Sequence, residues 1–146
     1  MNLQLNWMSG VMFLAGVGIP IMAALNATLG ARIGPPAAAT ILFAVGFICA
    51  VIMVVVTGGT DWSKLSTTPL FLFGGGLLVA FYILSITTLA PRMGVATAVL
   101  FVLLGQLVTA ALIDQFGLFG APKIPLTPTR IFGFGLMVVS ILMAKR

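Results

Sequence analysis

Five long apolar runs, cut by short polar breaks, account for nearly all of this chain. They fall at about 7–30, 37–56, 69–90, 94–117 and 128–144. At the helical rise, runs of this length cover roughly 25–36 Å, the scale of a bilayer's hydrocarbon core. The alternating ten-residue pattern of a membrane barrel is absent. The pattern predicts an all-α polytopic membrane protein, a bundle of five transmembrane helices forming one transmembrane domain over residues 1–146.

The breaks and the small residues refine each span. Trp7 suits an interfacial anchor at the start of the first span. Gly16, Gly18 and Pro20 interrupt that span near its middle, a kind of break that transporters use at binding sites. Asn26 is the polar residue of its second half, serving as interhelical glue or as a ligand contact. Ala23 and Ala27 form a small-xxx-small pair that lets another helix approach. Arg32 and the turn Gly34-Pro35-Pro36 end the span, and Gly46 gives the second span a packing notch. The segment from Thr57 to Lys64 reads as an aqueous loop with solvated Asp61 and Lys64 and an interfacial Trp62. Thr68 as N-cap and Pro69 at the first helical position open the third span, where the cluster around Gly75 permits close backbone approach. Pro91-Arg92-Met93-Gly94 reads as a turn. Thr127 and Pro128 open the fifth span, with Gly105 and Gly133 as further packing positions in the fourth and fifth.

Composition agrees with this picture. Of 146 residues, 61% are hydrophobic and only 6% charged, whereas a soluble domain has about a quarter charged. The net charge of +5 is scattered at the ends of the apolar runs, so it sets topology and marks no nucleic-acid surface. One cysteine, Cys49, and no histidine leave no internal disulfide, no zinc set and no nucleophile–histidine machinery. No metal, cofactor or enzymatic activity is expected. The N-terminus lacks the basic region of a secretory signal, so the first span is expected to stay uncleaved.

Candidate chemistry concentrates in the fourth span. Gln106 lies near its middle and Asp114, one of two acids in the chain, near its end. Ionisable groups at membrane depth are costly and point to function. The eight-residue separation is about 80° around a helix and about 12 Å along it, so one cavity can see both side chains. Asp114 serves either an interfacial structural role or direct contact with a substrate or ion. Tyr82, at a depth comparable to Gln106, carries a hydroxyl that needs a partner. Asp114 near a helix C-terminus and Arg130 near a helix N-terminus both oppose the helix dipole, and pairing relieves both.

The stretches LNATLGARIGPPAAATILFAVG, FGGGLLVAFYILSITTLAPRMGVATAVLFVLLGQLVTAALIDQFGLFG and PLTPTRIFGFGLMVVSIL resemble, in order and spacing, the YdcZ-type half-size proteins of the drug/metabolite transporter (DMT) superfamily. The resemblance implies a multi-pass inner-membrane protein similar to one half of a ten-helix, EamA-like transporter. It places signature positions at Asn26, Gly46, Gly75, Gly105, Gln106, Asp114, Gly117 and Arg130. Ile21 and Met22 stand where the family often carries a glutamine, and the first span has no acid like that of the small multidrug transporters, so proton–cation exchange does not carry over.

The sequence therefore points to a small-molecule transporter, an exporter, embedded in the lipid bilayer and working as a homodimer or with a paralogous partner. Gln106, Tyr82 and Asn26 are the expected polar lining, and Asp114 with Arg130 the expected gate or ion pair. A non-transporting scaffold or accessory subunit is the alternative. Five spans put the termini on opposite sides. Arg32, Arg92, Lys145 and Arg146 fall on one side and Lys64, Lys123 and Arg130 on the other. The bias favours an outside N-terminus only weakly, which admits dual topology and an antiparallel dimer.

Overall fold

The computed structural model describes residues 2–59 and 61–144. Lys145 and Arg146, used in the topology count, and Thr60 of the first loop lie outside the described residues. The helices are α1 (Asn2–Ile33), α2 (Pro35–Thr57), α3 (Gly75–Met93), α4 (Val95–Phe116) and α5 (Pro128–Ala144), with short 3-10 helices at Trp62–Thr67, Leu70–Gly74 and Leu118–Gly120. Four apolar segments are long enough to cross a membrane: Trp7–Ile33, Pro35–Thr57, Leu70–Met93 and Val95–Phe116. The fifth helix has 17 residues, about 25 Å, a little short of a hydrocarbon core of about 30 Å. The protein is thus an all-α polytopic membrane protein with four clear spans and a shorter fifth helix. Its chain divides into two compact units, Met1–Arg92 and Met93–Arg146.

Three local expectations are corrected. First, α1 runs unbroken through Gly16, Gly18 and Pro20 to Ile33. Pro20 removes only the bond to the Gly16 carbonyl, a loss that one membrane helix tolerates. Second, α3 starts at Gly75 and not at Pro69. The Thr68 hydroxyl donates backward to the Lys64 carbonyl at 2.8 Å, so it caps no α-helix, and Leu70–Gly74 adopts a tighter 3-10 winding. Consecutive glycines, which have the poorest helix propensity apart from proline, fix where the α register can begin. Third, Pro91, Arg92 and Met93 belong to α3, and the turn is the single residue Gly94 at φ 87° and ψ 140°. Gly34 ends α1 with nearly the same geometry, φ 93° and ψ 142°. Only glycine adopts such dihedrals readily, so each Arg-x-Gly step stops a helix within one residue.

The aqueous loop is ordered by Asp61, whose carboxylate accepts from the Ser63 backbone and hydroxyl and pairs with Lys64 at 3.1 Å. The Ser63 hydroxyl, and after it Lys64, hold the Asp61 carboxyl below its ordinary range.

In the first unit, burial is concentrated near the Gly34 turn. Ala23, Asn26, Ala27 and Gly30 form one face of α1, with Ala38 and Ala39 of α2 and Ile83, Ile86, Thr87 and Ala90 of α3 also buried. Small side chains dominate because helices in lipid associate through close packing and hydrogen bonds, without a water-driven hydrophobic force. The far halves of these helices are bare: residues 7–18, 44–57 and 75–79 are exposed throughout. At Gly30 a built Cβ would sit 2.7 Å from Thr87 Cγ2 and 3.5 Å from the Pro35 Cα. Gly30→Ala is therefore expected to lower stability by about 1–3 kcal/mol through overpacking. Adding Thr87→Ser, which removes the clashing methyl and keeps the hydroxyl, is expected to restore most of the loss. Thermal unfolding of the two variants in detergent checks this, and an undiminished Gly30→Ala midpoint contradicts it.

Candidate functional site

Asn26 and Thr87 bring α1 and α3 together. The Asn26 carboxamide nitrogen donates to the Thr87 hydroxyl, and both residues are buried, at 4% and 1% exposure. Asn26 lies seven residues before the end of α1, about 10 Å below the Gly34 turn. It also lines a cleft of about 220 Å³ between α1 and α2, whose other walls are Met22, Leu25, Leu29, Ile41 and Leu42. The cleft is thus apolar with one carboxamide, the usual makeup of a small-molecule site though smaller than a drug-sized pocket. Thr87 carries no sequence signal that separates it from Thr88. A membrane-helix threonine commonly returns its hydroxyl to the carbonyl four residues back, and Thr88 does so with Leu84 at 2.7 Å.

The second unit is organised around the end of α4, against which α5 packs. Arg130 Nη2 lies 3.2 Å from Asp114 Oδ2, with the two side chains 41% and 29% exposed. Two further contacts bind the linker to α4, and a third caps α5. Ile124 N–H donates to the Asp114 carbonyl at 2.8 Å, and Leu126 N–H donates to Gln115 Oε1 at 2.7 Å. Thr127 Oγ1 accepts from the Arg130 backbone at 3.3 Å, capping α5. Gly117 makes the sharp exit possible. It is left-handed, at φ 63°, and a Cβ there would lie 3.3 Å from the Ala121 carbonyl oxygen. These bonds satisfy terminal carbonyl and N–H groups that a helix end leaves open. Gln115 was not legible as a site residue, since its partner Leu126 is eleven residues away and no local motif connects them.

The remaining candidates are placed separately. Tyr82, in the first unit, is half-buried, and its hydroxyl is buried with no hydrogen-bond partner among the described residues. Gln106, in the second unit, is exposed on α4. A Cβ built at Gly46, Gly75, Gly105 or Gly133 meets nothing within 4 Å among the described residues. Gly30 is where the close approach occurs. Among the described residues no three His, Cys, Asp or Glu side chains gather as a metal site would require.

This architecture coincides with a family assignment. Residues 7–143 match the family model DMT_YdcZ, described as "Putative inner membrane exporter, YdcZ". No curated protein and no solved structure matches the chain. The match spans nearly the whole chain, and the family is one of transporters and not of enzymes. The chain accordingly belongs to the YdcZ family of the drug/metabolite transporter superfamily, as a multi-pass protein of the inner membrane with a general role in transport.

Proposed function

We propose that the protein exports small molecules as a dimer, each copy acting as half of a transporter. The observation that carries this reading is the apolar cleft at Asn26, a polar group held by Thr87 at membrane depth. A buried carboxamide fixes the orientation of a solute while aliphatic walls supply contact area. Asn26 is the polar group that meets the transported molecule, with Tyr82 of the same unit as a second polar contact. The cleft holds no ionisable side chain, which favours uncharged or zwitterionic solutes over lipophilic cations. All five helices cross the membrane, with α5 the thinnest-spanning. The two copies insert in opposite senses, as the weak charge bias permits.

The rival reading is a non-transporting scaffold, favoured by the uncovered glycines at Gly46, Gly75, Gly105 and Gly133. Flux separates the two. Purified protein in liposomes is expected to move radiolabelled solutes from an uncharged panel in a saturable way. Asn26→Leu is expected to reduce the rate at least ~10-fold, since a site built to hydrogen-bond a solute loses heavily without its polar group. Solute movement no faster than in empty liposomes sinks the transport reading.

Asp114 and Arg130 act as the latch that holds the start of α5 to the end of α4. A half-exposed pair of this kind contributes about 1 kcal/mol. Asp114→Asn and Arg130→Gln each leave one partner unpaired, so the double variant is expected to be more stable than the worse single variant. Chemical denaturation of all three checks this. A double variant no more stable than the worse single one removes the latch.

Orientation is tested with C-terminal fusions. Alkaline phosphatase and a fluorescent protein are expected both to be active, reporting the two insertions. Activity of the cytoplasmic reporter alone, unchanged when a lysine is added beside Lys64, rules out dual insertion.

A further inference from the structure

The Asn26 carboxamide stands between two different surroundings. At about 100° per residue, Met22 and Leu29 lie about 40° and 60° to one side of Asn26 around α1, and both line the cleft. Gly30 and Ala23 lie about 40° and 60° to the other side, and both are buried, Gly30 against Thr87. Asn26 therefore sits on the edge where the packed face of α1 gives way to the face open to the cleft. All six cleft residues belong to the first unit, as does Thr87.

Thr87 decides how the carboxamide is turned. Thr28, Thr40, Thr57 and Thr88 each donate to the carbonyl four residues earlier on their own helix. The Thr87 hydroxyl instead accepts from the Asn26 amide nitrogen on another helix. The nitrogen and the oxygen of a carboxamide diverge from one carbon, and the first only donates while the second accepts. With the nitrogen on the α3 side, the oxygen is the end left for the cleft. The other walls, Met22, Leu25, Leu29, Ile41 and Leu42, are apolar, so that oxygen sets the polarity of the site.

We propose that Thr87 is the positioning residue that makes the cleft select hydrogen-bond donors: it holds the Asn26 nitrogen on α3 and leaves the Asn26 oxygen to accept from the solute. This rests on the transport reading above and names the solute class, small neutral molecules with one N–H or O–H group on an apolar body. A solute that only accepts leaves the Asn26 oxygen unsatisfied, whereas a donor relieves it. Size bounds the body. An apolar cavity of about 150 Å³ accepts benzene. The cleft of about 220 Å³ therefore suits one substituted ring or a short branched chain.

The test is a size-matched pair of probes binding to purified protein in lipid nanodiscs, read by fluorine NMR and corrected for partition into empty nanodiscs. para-Fluoroacetophenone only accepts. The secondary alcohol made by reducing it also donates and has the same number of non-hydrogen atoms. Wild type is expected to bind the alcohol about five- to thirty-fold more tightly than the ketone. Thr87→Val keeps the shape and removes the acceptor, so the carboxamide can turn either end to the solute, and the ratio is expected to fall to about two-fold or less. Thr87→Ser is expected to keep it. A loss of packing alone weakens both probes together and leaves the ratio unchanged. Equal binding by wild type, tighter binding of the ketone, or a ratio that survives Thr87→Val overturns the proposal, as does binding of neither probe. If Thr87→Val does not fold, the side-chain carbonyl carbon of Asn26, identified by the signal lost in Asn26→Leu, decides instead. A shift with the alcohol and none with the ketone supports the assignment, and the same response to both overturns it. Donor preference without saturable flux keeps the site and removes transport. Saturable flux without donor preference keeps transport and removes this assignment.

Discussion

Hydrocarbon supplies no hydrogen-bond partner, and the placement of polar groups in this protein follows from that constraint. The Asn26 carboxamide is buried between helices because Thr87 receives it. Thr28, Thr88 and Ser140 return their hydroxyls to their own helix. Asp114, Gln115 and Arg130 lie where α4 ends and the linker begins, and they are joined to linker and α5 atoms. The Asn26–Thr87 contact carries the greatest consequence, because it joins α1 to α3 and also places one polar group in the cleft that α1 and α2 enclose.

Close backbone approach makes that contact possible. Ala23, Ala27 and Gly30 leave α1 with a shallow face, and Ala90 does the same for α3 one turn from Thr87. A larger side chain at Gly30 would meet the Thr87 methyl before Asn26 could reach its hydroxyl. Packing and polar satisfaction are therefore the same feature seen twice. It also explains why burial gathers near the Gly34 turn, where a one-residue connection keeps α1 and α2 close, while the opposite halves of the helices remain open to lipid or to another copy.

Much of the fold was legible because apolar run length reports bilayer thickness directly, and Pro35, Pro128 and Thr127 mark helix starts by simple sterics and capping. Boundaries were misplaced where a local rule met a stronger one. Thr68 looked like a cap but directed its hydroxyl backward, and Pro91 looked like a break but lies inside α3, which continues to Met93 despite the bond to the Thr87 carbonyl that a proline cannot make. Asn26 stood out as the polar residue in the second half of an apolar run. Its partner did not, since nothing in the sequence distinguishes Thr87 from Thr88 until two helices are laid side by side. Gln115 was hidden for the same reason, its partner being a backbone N–H on a loop. The unfilled glycines on α2, α3, α4 and α5 show the complementary limit: small residues announce an approach without saying which helix makes it.

The account depends most on Asn26 and Thr87 acting as one buried unit. A double-mutant cycle with Asn26→Leu and Thr87→Val, read by unfolding in lipid nanodiscs, measures that directly. The two residues are predicted to couple by about 0.6–1.7 kcal/mol, the range seen for interhelical hydrogen bonds in membranes. Effects that simply add, to within ~0.3 kcal/mol, would contradict it.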